Sequence, residues 1–583
     1  MTTTLPNAPP GTPTPPPRGR RFLPASAVQG VTWLVVVVGV LLPILPLLYA
    51  SVQDRPIYEA GGIFTLAPYQ QLFADPAFWQ AARNTVEFAV IATAAAVTLG
   101  GGAAVVCSRT DILGRRAWSR LLLLPILLPP LGVILGWNAL YGPGGYGTNF
   151  ITQTLHIPLN LTSVVGMSAL GTVVAMPVAF LICQAALGNV ESSLEDAARS
   201  AGAGALRVLW RIIVPMMRPA LLNSALLIFT LCIESLGIAL ILGSAAGNDF
   251  VASYLYNTWS SSATIDPGAV SAGAIILLLA AAALLVLRRK LLGAEARFVS
   301  VTGRGRGSDK LIALGPLWRR VLGLLFALYL LVTTFLPILA LALQSSVSLL
   351  TPLIAPWHVW SAVNWRQLSQ PTYLDSIRNS VEIAAVGAVV TTAVVALATT
   401  VAHRSSFKLR GTLQFVMLFP RSMPGLIVGI GFFWAFVLIN PPGSALRNSI
   451  WGIMLALSVR SLTLAYLLLY PAMAAVSRSL DDAARSAGAS WWKTMNSIVL
   501  PILRPALLAS FILMFVSILN DYDPALFLVT PGHEIMGVTM LDSLKQGSSG
   551  PAAALAMVQV AVTIVAILIG TALFGRTTRG THA

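Results

Sequence analysis

Three charged residues, Glu234, Arg460 and Asp521, interrupt long apolar stretches of the 583-residue chain. A charge at the centre of a bilayer costs about 2.5 to 3.5 kcal/mol unless it is paired or hydrated, so charges in such places are candidates for function. Glu234 and Asp521 occupy nearly matching places, close to the outer ends of two predicted spans. They could line a translocation path and attract a cation, or they could pair with Arg460, and the sequence leaves both interpretations open.

The sequence contains no residue pattern for catalysis or for a resident metal. Its five histidines are scattered, and it has no H-E-x-x-H or Ser/His/Asp arrangement. Cys107, Cys183 and Cys232 are odd in number and have no C-x-x-C spacing, which argues against disulfides and metal clusters. No G-x-x-x-x-G-K-[ST] loop is present to cradle a nucleotide phosphate. We therefore predict a chain that has no catalytic residues or metal ligands and binds no cofactor.

The elements that would position these charges are membrane-spanning helices. Only 10% of the residues are charged while 56% are hydrophobic, which leaves too little polar surface for a water-soluble globule. A helix of about 20 apolar residues crosses the hydrocarbon core of a bilayer, and such runs recur along the chain. The sequence thus predicts an all-α integral membrane protein with twelve transmembrane helices, near residues 30–50, 84–106, 120–141, 163–186, 219–242, 269–287, 321–343, 380–402, 413–438, 450–471, 505–528 and 555–574.

The net charge of +16 is better explained by membrane topology than by nucleic-acid binding, because the basic residues alternate from loop to loop. With the N-terminus inside, the cytoplasmic segments hold 29 of the 37 lysines and arginines and the opposite loops hold six. We predict a multi-pass protein of the bacterial cytoplasmic (inner) membrane with both termini in the cytoplasm. Residues 1–24 contain eight prolines and are predicted to be a disordered tail, not a signal peptide.

An internal duplication organises the chain. The segment LEDAARSAGAGALRVLWRIIVPMMRPALL from Leu194 matches LDDAARSAGASWWKTMNSIVLPILRPALL from Leu480. Each half has an even number of predicted spans, so the two copies face the same side of the membrane. The predicted domains are a tail at 1–24, a first six-helix module at 25–290 with a loop at 191–218, a basic linker at 291–318, a second module at 319–576 with a loop at 477–504, and a tail at 577–583.

Each copy of the repeated segment reads D-A-A, three residues, Gly, nine residues, Ile, one residue, an aliphatic residue and Pro. Residues 191–201 and 477–487 are predicted helices with acidic residues near their starts, where the helix dipole favours negative charge. Gly202 and Gly488 then provide a turn that glycine adopts without strain. A rigid helix-turn-helix can pass a partner's movement to the membrane bundle, whereas a flexible loop would absorb that movement.

The repeated segment resembles the EAA loop of ABC importer permeases, with Asp in place of the leading Glu in both copies and Val214 where Leu is usual. The fused two-half form is similar to ferric-iron permeases of bacterial importers, including the segments ESLGIALILG from Glu234 and PGHEIMGVTMLDSLKQGSSGPAAALA from Pro531. The resemblance implies that two copies of a separate ATPase subunit bind ATP and Mg²⁺ and dock on these loops. It also implies a periplasmic or lipid-anchored solute-binding protein. The coupling residues that it implies are Glu195, Asp196, Ala197, Ala198, Gly202, Pro215, Asp481, Asp482, Ala483, Ala484, Gly488 and Pro501.

Other interpretations of the same residues stay open. The loop SRTDILGRR, which contains Asp111, approximates the D-R-x-G-R-R loop of major-facilitator secondary transporters, although the equivalent HRSSFKLRG has no acidic residue. The repeated segments could also be amphipathic helices that only cover the bundle. Within the importer interpretation, the solute could be thiamine, an aminoalkylphosphonate or a polyamine instead of ferric iron.

Overall fold

The computed structural model describes residues 25–59, 61–188, 192–261, 267–295, 311–405, 408–439, 442–477 and 479–579. Within these ranges the regular secondary structure is helical, and β-pairing is limited to three isolated bridges. The predicted all-α class is therefore confirmed. The predicted tail at 1–24, residues 296–310 of the predicted linker and residues 580–583 lie outside the described residues.

The first half alternates long helices with short helical turns. Prolines stand in the first turns of several of these helices, where a missing backbone N–H costs nothing. The helices are Ala25–Leu41, Ile44–Ala50, Ala67–Ala74, Pro76–Arg109, Arg115–Leu121, Leu124–Leu127 (3₁₀), Pro130–Tyr141, Tyr146–Thr154, Val164–Gly188, Ser192–Ser200, Ala205–Val208, Leu209–Ile213 (π), Val214–Met216, Arg218–Ile233, Ala239–Gly243 (π), Ser244–Ala246 (3₁₀), Val251–Ser261 and Pro267–Glu295.

The second half follows the same order of long and short elements. Its helices are Pro316–Leu330, Leu331–Phe335 (π), Leu336–Ser346, Pro356–His358 (3₁₀), Val363–Gln367, Pro371–Arg404, Arg410–Leu418, Phe419–Ser422 (3₁₀), Gly425–Leu438, Pro442–Arg447, Ile450–Ala475, Ser479–Ser486, Trp491–Thr494, Met495–Val499 (π), Leu500–Asn520, Pro524–Phe527 (3₁₀), Met536–Lys545 and Ser549–Arg579. The last helix thus continues to Arg579, three residues into the segment predicted as a tail.

Within the described residues, nine helices are long and apolar enough to cross a membrane, and three bent pairs bring the total to twelve. The bent pairs are Arg115–Leu127 with Pro130–Tyr141 (94°), Leu209–Met216 with Arg218–Ile233 (53°) and Arg410–Arg421 with Gly425–Leu438 (111°). Counting each pair once, we number the spans 1 to 12 in chain order, with six in each half. This agrees with the twelve spans predicted from hydropathy.

Spans 5 and 11 end earlier than the predicted ranges 219–242 and 505–528. The helix of span 5 ends at Ile233 and that of span 11 at Asn520. Glu234 follows the first end, and Asp521 with Asp523 follows the second. The chain then turns into shorter helices at both places. The hydropathy prediction joined each of these helices to the apolar segment that follows it, because hydropathy registers the apolar content of a stretch and not the point at which a helix stops.

The first span of each half packs against the third span of the other half. Trp137 in span 3 donates from Nε1 to the carbonyl of Thr333 at 3.0 Å, and the Tyr141 hydroxyl donates to the carbonyl of Val332 at 2.9 Å. Both carbonyls belong to the π-helical turn Leu331–Phe335 of span 7. Span 1 packs against span 9 in the reciprocal arrangement. The halves are therefore interlocked through these two reciprocal contacts.

Candidate functional site

Both copies of the repeated segment fold into a helical hairpin at the same end of the bundle. We call residues 192–216 the first DAA hairpin and residues 479–499 the second. Each begins with a short helix, Ser192–Ser200 or Ser479–Ser486, and continues after a turn into a second helix, Ala205–Val208 or Trp491–Thr494. A π-helical turn then leads toward span 5 or span 11. The two hairpins thus share one sequence of elements.

The turn of each hairpin has the left-handed glycine that the sequence predicts. Gly202 has a φ of +82° and Gly488 a φ of +76°. The N–H of Ala203 donates to the carbonyl of Ala198 at 2.9 Å, and the N–H of Ala489 donates to the carbonyl of Ala484 at 2.9 Å. This is the Schellman pattern, which satisfies carbonyls at a helix end and fixes the direction of the following chain.

An arginine at the end of span 2 anchors the first DAA hairpin. Arg109 Nη1 lies 3.2 Å from Oε1 of Glu195, and Arg109 Nη2 donates to the carbonyl of Leu187 at 2.8 Å. The side chains of Arg109 and Glu195 are only 4% and 1% exposed. Leu187 lies at the end of span 4, so this single guanidinium joins two spans to the hairpin helix.

The second DAA hairpin has the same anchor. Arg404 at the end of span 8 donates from Nη1 to both carboxylate oxygens of Asp481, at 2.5 and 2.6 Å, and from Nη2 to the carbonyl of Val476 at 2.7 Å. Arg404 is 1% exposed and Asp481 13%. Removing one partner of a buried ion pair leaves an uncompensated charge, which costs about 3 to 5 kcal/mol. Each hairpin is therefore attached to the spans by a buried ion pair.

The other predicted coupling residues divide between an inner and an outer face. Asp482 and Ala483 are exposed, whereas Ala484 is buried and Ala198 packs partly against the core. Ala197 is exposed in the first hairpin. The side chain of Asp196 lies outside the described residues. Pro215 and Pro501 are half-buried where each hairpin meets its span.

Exposed apolar side chains accompany the outer face. Leu194 is 49% exposed and Trp210 63% in the first hairpin, and Leu480 is 38% exposed in the second. Each hairpin thus combines an anchored acidic residue on its inner side with exposed apolar side chains, and in the second hairpin Asp482 adds an exposed carboxylate. Such a rigid, protruding surface can receive a partner protein.

Four charged residues of the membrane region form one cluster centred on Arg460, and Arg421 of span 9 lies close enough to interact electrostatically with Glu234. Arg460 Nη1 lies 2.6 Å from Oδ1 of Asp521 and 3.5 Å from Oδ2 of Asp523, and Arg460 Nη2 lies 3.7 Å from Oε2 of Glu234. Glu234 belongs to the first half and the other three residues to the second, so the cluster bridges the halves. The predicted pairing with Arg460 is what the structure contains, and Asp523 is a member that the sequence did not indicate.

The cluster joins the middle of one span to the ends of two others. Arg460 is the eleventh residue of the 26-residue helix Ile450–Ala475, roughly 15 Å from its start at 1.5 Å per residue. Glu234 and Asp521 directly follow the helices of spans 5 and 11, which end beside Arg460. Gly425, at the start of the second part of span 9, allows the close packing, since a Cβ there would lie 2.5 Å from Arg460 Nη1.

Glu234 is the least satisfied member of the cluster. Its side chain is 5% exposed, and its Oε1 is buried without a hydrogen-bond partner. Within the described residues, no group of three or more His, Cys, Asp or Glu side chains is arranged to hold a metal ion. In this conformation the guanidinium of Arg460 occupies the space between the carboxylates.

The pattern of the family described as "Binding-protein-dependent transport system inner membrane component" matches residues 96–292 and again residues 394–579. The chain belongs to this family. Each match contains one DAA hairpin, so the chain is a fused two-module ABC permease, a non-catalytic component that spans the inner membrane many times.

Individual relatives agree with this membership. The chain is 25% identical over 417 residues to a proposed ferric transport system permease, FbpB 1, of Haemophilus influenzae, covering 70% of this chain and 63% of that protein. It is 24% identical over 456 residues to the ferric transport system permease FbpB of Actinobacillus pleuropneumoniae, covering 76% of this chain and 64% of that protein. It is also 24% identical over 522 residues to a probable ABC transporter permease, y4fN, of Sinorhizobium fredii, covering 88% and 89%. The chain thus spans somewhat less than two thirds of the two ferric permeases.

The anchoring arginines have a role that neither the family match nor the sequence pattern indicates. Arg109 and Arg404 are the last residues of spans 2 and 8 and occupy the same place in the two halves. Basic residues at such ends are expected from charge bias alone. The sequence does contain a usable signal. The two arginines occupy matching positions of the duplicated halves, and so do the acidic residues that they contact, Glu195 and Asp481.

Proposed function

We propose that this permease carries a solute into the cytoplasm, driven by two copies of a separate ATPase subunit that bind ATP and Mg²⁺ and dock on the two DAA hairpins. The observation that carries the proposal is the duplicated hairpin, with a left-handed glycine and a buried Arg–carboxylate anchor in each copy. A rigid, anchored hairpin transmits a push from a soluble partner to the spans it joins. A helix that only covered the bundle would not need a buried anchor.

The docking surface would be the outer face of each hairpin. Asp482, Ala483, Leu194 and Trp210 are exposed there, while Glu195 and Asp481 face the bundle and hold the hairpin in place. We assign the coupling role to all the predicted motif residues, from Glu195 to Pro215 and from Asp481 to Pro501. Those on the outer face would contact the ATPase, and those on the inner face would anchor the hairpin.

The orientation follows from charge. The end of the bundle that carries the hairpins also carries most of the lysines and arginines, which favour the cytoplasmic side. Both termini would then lie in the cytoplasm, and a periplasmic or lipid-anchored binding protein would deliver the solute to the opposite end.

Ferric iron is the solute that we propose. Two of the relatives described above are named as ferric transport system permeases, which supports it, and the membrane cluster adds a chemical argument. Glu234, Asp521 and Asp523 offer hard oxygen atoms, which suit a hard cation, and their three negative charges exceed the two positive charges of Arg460 and the nearby Arg421. We propose that Glu234, Arg460, Asp521 and Asp523 lie on the translocation pathway. The alternative is that the same architecture imports thiamine, an aminoalkylphosphonate or a polyamine instead of ferric iron.

The test is transport of ⁵⁵Fe³⁺ into proteoliposomes. The permease is reconstituted with its ATPase and binding protein, and ATP is supplied on the side of the membrane where the ATPase lies. Uptake is compared with vesicles that lack the ATPase. ATP-dependent uptake that requires both partners is expected. Uptake by the permease alone would contradict the proposal and favour a secondary transporter. Competition by excess thiamine, 2-aminoethylphosphonate or spermidine distinguishes the alternative solutes.

A further inference from the structure

The end of the inter-half linker contacts the first half at the base of the first DAA hairpin. The N–H of Ile312 donates to the carbonyl of Arg109 at 2.8 Å, and the N–H of Asp111 donates to the carbonyl of Ile312 at 3.3 Å. The N–H of Leu314 donates to Oδ1 of Asp111 at 2.8 Å, and Arg319 forms an ion pair with Oδ2 of Asp111. We call residues 109–111 together with 312–319 the linker latch.

Arg109 connects the linker latch to the hairpin. It is the last residue of span 2, where backbone carbonyls have no partner within the helix. The N–H of Ile312 satisfies its carbonyl, while its guanidinium holds Glu195 and the carbonyl of Leu187. One residue therefore contacts span 4, the first hairpin and the segment that leads into the second half.

Asp111 is held as a carboxylate in this arrangement. The hydrogen bond from the N–H of Leu314 and the neighbouring guanidinium of Arg319 keep the pKa of Asp111 below its usual range, so it is ionised at neutral pH. This geometry also gives a structural account of the loop SRTDILGRR, in which Asp111 bonds to the linker of its own chain.

The second hairpin has no equivalent of the linker latch in its sequence. Ser406 stands where the first half has Asp111, and after Arg404 the chain continues through a short loop to Arg410, the start of span 9. The chain contains only one inter-half linker. The anchor of the second hairpin, between Arg404 and Asp481, is therefore built from its own half.

We propose that the linker latch makes the two DAA hairpins mechanically inequivalent: both halves of the chain hold the anchor of the first hairpin, whereas in the described residues the Arg404–Asp481 anchor of the second is built from its own half. Movement of span 7 then reaches the first ATPase docking site through Arg319, Asp111 and Arg109. Asp111 and Arg319 act as positioning residues in this scheme. The functional consequence rests on the coupling role proposed above, but the difference in local stability does not.

The experiment compares Arg319→Gln with Arg320→Gln in the full chain. Arg320 is the adjacent, exposed arginine, and its replacement removes the same charge outside the linker latch. Amide hydrogen exchange is measured by mass spectrometry on peptides that cover 192–208 and 479–494. Asp111→Asn serves as a second variant, because it keeps an acceptor for Leu314 but removes the ion pair.

We expect exchange in 192–208 to be about fivefold faster in Arg319→Gln and Asp111→Asn, because local opening of the hairpin becomes easier. Exchange in 479–494 should be unchanged, and Arg320→Gln should match the parent protein at both hairpins. In the complete transporter, the solute carried per ATP should fall about twofold in the two latch variants, since a loosened hairpin passes on less of each ATPase movement.

Unchanged exchange in 192–208, or equal acceleration of both hairpins, would overturn the inference. The exchange measurement needs neither the ATPase nor the solute. If the coupling role failed while the exchange difference persisted, the mechanical inequivalence would stand and only its use in transport would be wrong.

Discussion

Gly136 in span 3 lies so close to Pro337 in span 7 that a Cβ on the glycine would be 2.5 Å from the carbonyl oxygen of the proline. The same contact recurs between Gly431 in span 9 and Pro43 in span 1, where a Cβ would be 2.1 Å from the proline carbonyl. Small residues permit such close approach of helices in membranes. Because each contact joins opposite halves, the pair fixes the interlock between them.

Replacing either glycine by alanine should loosen the interlock. We expect Gly136→Ala and Gly431→Ala each to lower the free energy of unfolding by about 1 to 3 kcal/mol, because a methyl group is forced against the backbone. Thermal unfolding in detergent measures the change. Gly132→Ala is the matched control, since a Cβ there meets its nearest neighbour at 3.7 Å. Equal melting temperatures for Gly136→Ala and Gly132→Ala would show that the contact is not tight.

The hairpin turns require glycine for their backbone conformation and not for space. A Cβ on Gly202 or Gly488 would meet no atom within 4 Å, but both residues have positive φ. Gly202→Val and Gly488→Val should therefore cost about 1 to 2 kcal/mol or more locally and redirect the chain after the turn. We expect ATP-dependent uptake to be lost while membrane insertion is retained, as measured by transport in vesicles and by surface labelling.

Gly204→Ser is the control for the turn variants. Gly204 has no positive φ, and Ser490 stands at the matching place of the second hairpin. Uptake by this variant should equal that of the parent protein. Normal uptake by both Gly202→Val and Gly488→Val would refute the coupling role of the hairpins.

The hairpins show how far the sequence carries the prediction. The positive φ of Gly202 and Gly488 and the twelve spans followed from local pattern, because turn chemistry and hydropathy act over short stretches. The partners of Glu195 and Asp481 lie 86 and 77 residues away in the sequence, and nothing local links them to Arg109 and Arg404. Asp523 was missed as a member of the Arg460 cluster for a related reason, because hydropathy does not mark where a helix ends inside an apolar segment.

The anchor of the second hairpin can be tested by a double-mutant cycle. Arg404→Gln leaves Asp481 largely buried without its partner and should destabilise the protein by about 3 to 5 kcal/mol. The double variant Arg404→Met/Asp481→Leu removes both charges and should recover most of that loss, while transport stays low because the hairpin has lost its directional anchor. Thermal unfolding and ATP-dependent uptake are measured in parallel. Lys408→Gln, an exposed change nearby, should alter neither quantity.

A different outcome of the cycle would change the interpretation. If the double variant transported as well as the parent protein, the Arg404–Asp481 pair would be a folding contact with no part in coupling. If Arg404→Gln were as stable as Lys408→Gln, the ion pair would contribute nothing to the position of the hairpin.

The membrane cluster allows a test of the translocation pathway. Arg460 and the nearby Arg421 carry two positive charges beside three carboxylates, and Glu234 keeps a buried oxygen without a hydrogen bond. If an incoming cation competes with Arg460 for these oxygens, Glu234→Gln and Asp521→Asn should each lower ⁵⁵Fe³⁺ uptake about tenfold, which corresponds to about 1.4 kcal/mol of lost transition-state stabilisation. Glu382→Gln changes a carboxylate within span 8 that is 37% exposed and pairs with Arg378; it is the control and should transport normally. Uptake and the amount of inserted protein are measured together, because a folding defect would lower both. Full uptake by the cluster variants would mean that the carboxylates only balance the charge of Arg460 and that the solute passes elsewhere.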